Sequence, residues 1–383
     1  MLIYQSQLST NWDTFLLSEV VEFLDNQRKA ITERDRVKGP YPYYGANGQQ
    51  DSVAEFIFDE PLVLLAEDGG HFGDPNKTIA YQITGKCWVN NHAHVLRPKD
   101  CIDIRYLYRH LERYDVTQFV TGTTRGKLTK SAASRIPIVV PPLEEQRRIA
   151  AILDKADDIR RKRKQAIALT EELLRSTFLD MFGDPVTNPK GWEIHPLSKV
   201  CNRVTVGFVG TMSSEYIEEG VPWLRSLNIK RNRIVLNDLK YVSNDFHRKL
   251  NKSSLLPGDV VAVRTGNAGV AAVIPKWITQ ANCSDLIVMT CSKLLVPAYL
   301  AEILNFLLGD QNGGTGLTGA IQKHFNISKA KQLKIPLPPL ELQTDWNNIV
   351  NKFEHLQNIQ TNHQEESNNL FNSLLQKAFR GEL

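Results

Sequence analysis

Cysteine is scarce in this chain of 383 residues: there are five, at positions 87, 101, 201, 283 and 291. An odd, scattered set forms neither a disulfide framework nor a CxxC metal site, and points to a reducing compartment. Long apolar runs are lacking; none reaches the roughly 18–20 residues that a bilayer crossing needs. The opening residues, MLIYQSQLSTNWD, show no basic segment followed by an apolar one, so no secretory signal is expected. Charge of one sign is not in large excess: 46 Lys and Arg stand against 42 Asp and Glu, a net +4. Hydrophobic residues make up 42% and charged residues 23%, which excludes fibrous and wholly disordered classes. The length suits two or three domains of a cytoplasmic protein.

Signatures of catalysis are also missing. The one G-x-G-x-x-G match, Gly314 to Gly319, follows an expected helix (Tyr299–Leu308) and not a strand, so it does not open a dinucleotide fold. Gly122-Thr123-Thr124-Arg125-Gly126-Lys127 is one residue short of a phosphate loop and lacks the Ser or Thr after Lys. His92-Ala93-His94 has no carboxylate or thiolate at ligand spacing, and is read as turn or core histidine; no metal site is expected. HExxH and GxSxG do not occur. A base-flipping methyltransferase needs a cofactor loop and a short Pro-Pro-aromatic strand. Here both Pro-Pro pairs are followed by Leu and open a helix. No convincing nuclease cluster of two carboxylates and a lysine is found.

What is present is a duplication. Trp12-Asp13, Leu17-Ser18 and Val20 recur as Trp192-Glu193, Leu197-Ser198 and Val200, 180 residues on. Val63–Ala66 followed by Gly69 recurs as Val260–Val263 followed by Gly266, and Pro141-Pro142-Leu143-Glu144-Glu145-Gln146 as Pro338-Pro339-Leu340-Glu341-Leu342-Gln343, both 197 residues on. The period is far longer than a solenoid repeat. The unit is a globular domain followed by a long helix, twice over.

Residues 143–182 contain no Pro or Gly and place Ile149, Ile152, Ala156, Ile159, Ala166 and Leu173 at helical spacing; Trp346, Ile349, Phe353, Leu356, His363 and Leu370 align with them. The prolines start each helix and Gly183-Asp184-Pro185 stops the first. About 40 residues make a rod of roughly 60 Å. Such a rod is too long to bury its stripe on its own globule, so the two helices are expected to pair. An antiparallel pair is favoured over a parallel or intermolecular one. The fold class is α+β, with expected strands at Phe56–Phe58, Leu62–Ala66, Thr78–Ile83, Val260–Arg264, Gly269–Ile274 and Asp285–Thr290. The segments are 1–140 (first globular domain), 141–184 (central helix), 185–337 (second globular domain) and 338–383 (C-terminal helix).

The positive charge is local. Residues 185–340 carry 18 basic and 10 acidic side chains, whereas residues 1–140 carry 16 and 17. This is the pattern of a polyanion-binding surface on a near-neutral protein. Arg105, Arg109 and Arg113 repeat on one helix face; Arg125, Lys127 and Lys130 follow in a Gly/Thr loop. Lys230, Arg231 and Arg233 cluster in the second domain, Arg264, Thr265 and Asn267 share a turn, and Lys323 and His324 follow the Gly-rich stretch. Tyr44, Asn47 and Lys77 complete the candidate DNA contacts of the first domain. Lys and Arg suit phosphates, while Arg, Asn and Thr can read base edges. The run Arg160–Lys164 can lie over phosphates or be a solvated helix face.

The order of domain, Ile-Pro-x-x-x-Pro-Pro-Leu-Glu-Glu-Gln, helix ending at Met181-Phe182-Gly183-Asp184-Pro185, second domain, Pro-Pro-Leu and second helix closing at Ala378-Phe379-Arg380-Gly381-Glu382-Leu383 resembles the DNA specificity subunit of type I restriction-modification systems. The resemblance covers essentially the whole chain. It implies two target recognition domains, each reading half of a split, asymmetric site in double-stranded DNA, with the helices as an antiparallel coiled-coil spacer and docking platform. It implies methyltransferase subunits and restriction/translocase subunits as partners. S-adenosylmethionine, ATP and Mg are expected on those partners, with no cofactor on this chain and no membrane association. An enzyme with unrecognised methyltransferase or nuclease motifs, and a coiled-coil scaffold without sequence-specific DNA binding, are the alternatives.

Overall fold

A computed structural model describes residues 12–74, 77–122, 126–309 and 325–383. The chain divides into two compact units: residues 1–165 with 361–383, and residues 166–360. Each unit therefore contains a globular domain and part of both long helices. The expected segments have bounds at 140/141, 184/185 and 337/338; the long helices begin at Leu143 and Leu340 and the first ends at Phe182, while the compact units part within the helices.

In unit 1 a four-stranded antiparallel sheet has the order Val21–Phe23, Ala93–Pro98, Leu62–Ala66, Ala80–Ile83. Leu62–Ala66 is apolar at every position because both of its faces are covered. Val63 and Leu65 face the helix Ile104–Leu111 and the long helices, in a core that includes Tyr106, Leu107, Ile149 and Leu153. Leu62 and Leu64 face the opposite way, onto Cys87 and Val89 of a second sheet. That second sheet runs Gly48–Val53, Tyr41–Gly45, Lys86–Val89, Phe58–Asp59, with Tyr41–Gly45 and Lys86–Val89 parallel.

Unit 2 repeats the first sheet and the three strands around the parallel pair of the second, but the edge strand of its second sheet lies on the other side. Its antiparallel sheet has the order Cys201–Val206, Leu286–Cys291, Val260–Val263, Ala271–Val273, and a second sheet runs Tyr216–Ile217, Lys240–Val242, Val221–Leu224, Asn282–Cys283. The register agrees with the duplication read from the sequence: Val63 pairs with Leu96 as Val260 pairs with Met289. Gly69 and Gly266 both take positive φ, 64° and 83°, at the turn after the central strand. An additional hairpin, Ile229–Lys230 with Arg233–Ile234, distinguishes unit 2.

The central helix spans Leu143–Phe182 and the C-terminal helix Leu340–Arg380. Glu144 and Glu145 sit in the first turn of the central helix, where the positive end of the helix dipole favours carboxylates. Gly183 ends it with φ 76°, and a Cβ there would come within 2.8 Å of Pro189 Cγ. Within unit 1 the helix parts run antiparallel: Arg148 Nη2 donates to Leu383 O at 2.8 Å, and Arg163 Nη1 donates to His363 O and Ser367 Oγ. Within unit 2 they do so again. Gln360 Nε2 donates to Thr170 Oγ1 at 3.0 Å, and Phe178 packs edge-on against Trp346 with centroids 5.1 Å apart.

The apolar stripe differs from the expected seam. Ile149 and Trp346 are buried as expected, but Leu173 is 56% and Leu370 57% exposed, and Ile159 and Leu356 are also exposed. Their neighbours Leu174 and Phe371 are buried instead, with Leu153, Phe178, Phe182, Val350, Leu375 and Phe379. These side chains enter the domain cores. Burying each contributes roughly 1.5–3 kcal/mol, so the domains, not a continuous heptad, set which face turns inward. The mid-helix positions Arg163, Thr170, Gln360 and Ser367 are joined by hydrogen bonds, each worth about 1 kcal/mol net.

Candidate nucleic-acid interface

The tip of the first domain is the turn between Tyr41–Gly45 and Gly48–Val53. Gly48 takes φ 107° there, which closes the hairpin across Ala46-Asn47. Asn47 Nδ2 donates to Gly69 O at 2.9 Å, tying this tip to the turn after Leu62–Ala66. The Tyr44 ring lies 5.8 Å from that of Tyr81, and Tyr81 Oη donates to Gly45 O. Burial raises the Tyr44 phenol above its ordinary range, so it stays a neutral hydrogen-bonding group.

Beside this tip lies a groove of about 680 Å³. The domain contributes Asn47, His71, Lys77 and Thr78; Arg113 reaches it from just beyond the helix Ile104–Leu111. The central helix adds Arg160, Arg161 and Lys164, and the C-terminal helix adds Gln364 and Asn368, all within unit 1. The cations are held in different ways. Arg160 donates to Asp157 Oδ1 through Nε at 3.1 Å and Nη2 at 2.5 Å, and its guanidinium lies 4.7 Å from the Phe371 ring centroid. Arg113 Nη1 donates to Asn372 Oδ1 at 2.7 Å and lies 5.2 Å from the same ring. Arg161 reaches Asp157 at 3.4 Å and remains 69% exposed. Three arginines share Asp157: Arg109, Arg160 and Arg161. Burial alone would raise this carboxyl, but the arginines outweigh it and hold it below its ordinary range. Its single negative charge leaves the groove positive.

Several expected contacts lie elsewhere. Arg105, Arg109 and Arg113 do share a face, but that face turns onto the long helices. Arg109 is 3% exposed and is spent on Glu112 at 3.0 Å, Asp154 at 2.8 Å and Asp157 at 3.3 Å, which corrects its reading as a phosphate contact. Arg105 pairs with Asp154 at 3.4 Å. Lys127 Nζ is 3.1 Å from Glu67, and Lys130 lies over the Phe23 ring at 5.4 Å. Arg231 is likewise corrected: it bonds the buried Glu302 and lies 5.0 Å from the Phe306 centroid. Its hairpin neighbours Lys230 and Arg233 are exposed and face one another in register. Arg264 pairs with Asp285 at 3.3 Å, leaving Thr265 and Asn267 exposed at the tip after Val260–Val263. Arg125, Lys323, His324 and the Gly314 to Gly319 stretch lie outside the described residues. Sequence reasoning missed His71, Gln364 and Asn368; no local pattern marks them, because they meet only in the folded unit.

The histidines of His92-Ala93-His94 divide. His92 Nδ1 is 2.5 Å from Asp68 Oδ1 in a turn. His94 is buried, with Nδ1 2.7 Å from Asp25 Oδ2 and Nε2 2.8 Å from Leu128 O. Asp25, Glu67 and His94 bring ligand atoms within 4.8 Å of one another, the only such trio among the described residues. Arg28 already bonds Glu67 there and lies 3.6 Å from Asp25, so a guanidinium takes the place a cation would need. Among the described residues no helix is long and apolar enough to cross a membrane.

Two domains that share one antiparallel sheet, each carrying basic and amide side chains at its rim and each merged with antiparallel helices, define a duplicated binding protein. The family described as the type I restriction modification DNA specificity domain matches residues 9–169 and again 189–370, and the chain belongs to it. It is a specificity subunit of a type I restriction-modification system with two DNA recognition domains. A Haemophilus influenzae chain named as a candidate type I restriction enzyme specificity subunit is 29% identical over 357 residues, covering 89% of this chain and 87% of that one. The EcoBI specificity subunit of Escherichia coli is 24% identical over 400 residues, covering 92% and 79%. A crystal structure of the type I system S subunit from M. genitalium superposes with a TM-score of 0.60 at 14% identity, over 99% of this chain and 98% of that one.

Proposed function

We propose that each unit reads one half of a bipartite, asymmetric DNA target, and that the chain contributes recognition without catalysis. The observation that carries this is one scaffold with two different rims. The antiparallel sheets and helix seats correspond, whereas Tyr41–Gly45 and Gly48–Val53 are joined by a tight turn at Asn47 and their counterparts Val221–Leu224 and Lys240–Val242 by the longer segment that carries the hairpin at Ile229–Ile234. Matching scaffolds hold two readers in the same way, and unlike rims read unlike sequences. Methyl transfer and cleavage then fall to methyltransferase and restriction subunits that dock on this chain and bring S-adenosylmethionine, ATP and Mg. The setting is the cytoplasm, where the DNA is.

The test exchanges residues 12–135 for the equivalent domain of a relative, reconstitutes the chain with its methyltransferase subunits, and maps methylated sites. One half-site should change and the other persist. If both halves change together, the units are not separate readers. Methyl transfer by the purified chain alone, with contaminating activity excluded, would overturn its non-catalytic role.

A further inference from the structure

The groove of unit 1 gathers His71, Lys77, Arg113, Arg160, Arg161 and Lys164 from the domain and the central helix. Lys77 and Lys164 have no carboxylate partner among the described residues. Arg161 shares the one carboxylate that Arg109 and Arg160 already engage. Like charges converging on a concave surface repel one another, and a bound polyanion relieves that cost. Two further features favour a nucleic-acid backbone over a single phosphate. Arg161 and Lys164 stand three residues apart on the central helix, about 4.5 Å along the axis, between the advance of one base pair and of two, about 3.4 and 6.8 Å. The amides of Asn47, Gln364 and Asn368 line the same groove and can donate to phosphate and sugar oxygens. Asn47 also belongs to the tip of the first domain, so a strand passing that tip is carried onto the helix face.

We propose that this groove holds the sugar–phosphate backbone beside the first half-site, with Lys77, Arg161 and Lys164 as sequence-independent contacts. The proposal rests on the reading of unit 1 as a DNA reader, and assigns the phosphate grip of that unit to a surface its domain shares with the helices. Arg160 and Arg113, stacked on Phe371, keep the wall of the groove in place.

The test uses the chain reconstituted with its methyltransferase subunits and measures affinity against salt, on target and non-target duplexes. Lys77→Gln, Arg161→Gln and Lys164→Gln are compared with Lys162→Gln, a neighbour paired with Asp158 at 2.8 Å and outside the groove. Each groove substitution should lower the slope of log affinity against log salt by about 0.9. Over a fourfold rise in salt, the ratio of wild-type to variant affinity then shrinks about 3.5-fold. Target and non-target DNA should weaken alike, the methylated sequence should stay the same, and Lys162→Gln should keep the full slope. A groove double variant with the slope of Lys162→Gln overturns the proposal. An unchanged slope with weakened binding of the methyltransferase subunits overturns it in favour of an acidic protein surface. A wild-type complex that binds neither duplex at low salt removes the reading of unit 1 itself, and the groove with it.

Discussion

Gln146 and Gln343 make the same three hydrogen bonds at the same place in the two repeats. Gln146 accepts from Asp103 N–H at 2.7 Å and donates to the carbonyls of Cys101 at 3.0 Å and Pro141 at 2.7 Å. Gln343 accepts from Val296 N–H at 2.9 Å and donates to Leu294 O at 3.2 Å and Pro338 O at 2.8 Å. Both are fully buried. Each amide locks the first turn of a long helix to the loop ahead of the short helix in its own domain. Tyr106 and Tyr299 add a matching pair, each donating to a carbonyl just before the prolines at 2.9 Å.

Gln146→Ala and Gln343→Ala should each destabilise their own unit by about 1–3 kcal/mol, the cost of leaving buried backbone groups unpaired. Urea unfolding followed by probes in each unit checks this. A loss below about 0.5 kcal/mol, under the usual net value of one hydrogen bond, would mean that water replaces the amide.

Arg109→Met should act on folding and not on DNA. It leaves Glu112, Asp154 and Asp157 without their shared guanidinium, and breaking a buried pair costs about 3–5 kcal/mol. Denaturation should show the loss, while the salt dependence of DNA binding by the folded complex stays at the wild-type slope.

The unit 2 hairpin should divide its three basic residues by role. Lys230 and Arg233 are exposed and face each other, an unfavourable like-charge pair that an anion would relieve. Replacing both by Gln should lower the salt slope of binding by about 1.8, at about 0.9 per phosphate contact. Arg231→Gln should instead lower the thermal stability of unit 2, since it uncouples the buried Glu302.

Acid should weaken unit 1 through His110. Its ring is buried against Tyr114 and Phe379, and burial lowers its pKa from 6.5 to about 3. The unfolded chain gains a proton near pH 6.5 that the folded unit refuses until about pH 3. Stability from this group is therefore complete above 6.5 and falls with pH between those values, by at most about 1.4 kcal/mol per pH unit. His110→Gln should flatten that part of the stability profile. Asp25 and Asp157, both lowered despite burial, lose their contribution only as pH falls below the ordinary carboxylate range. An unchanged slope between pH 6 and pH 5 in the variant would contradict the assignment.

Cys201 and Cys291 should oxidise together. They are cross-strand partners, and the flanking bond from Ser292 N–H to Val200 O at 3.0 Å makes them a non-hydrogen-bonded pair. Such pairs stand about 4.5 Å apart at Cα, within the span of a disulfide. The hydrogen bond with Cys291 lowers the Cys201 thiol below its ordinary range, so Cys201 is the one of the two that gives up its proton first. Diamide, which takes up the two electrons and two protons, should remove two hydrogen masses from the peptide pair. Cys201→Ser should abolish that change, and persistence of both free thiols in the wild type would refute it.

The sequence by itself determined the duplication, the bounds of the strand Leu62–Ala66 and those of the central helix. Each of these is local: a wholly apolar run covered on both faces, and a Pro- and Gly-free stretch between a proline pair and Gly183. Trp12 and Trp192, Gly69 and Gly266 and the two Pro-Pro-Leu motifs mark the copies by order and spacing alone. What only the tertiary structure decided is the use of each charge and the face of each helix. Arg109 and Arg161 are alike in sequence, but one meets three carboxylates from two segments and is buried, while the other shares a single carboxylate and remains open. Leu173 fits a helical stripe as well as Leu174 does, and the choice between them is made by the core of unit 2, far away in the chain. The groove itself has no sequence signature, because Asn47, Lys77, Lys164 and Asn368 become neighbours only when the domain closes on the antiparallel helices. Spacing along a chain reports periodicity, whereas the pairing of charges depends on distances that folding alone sets.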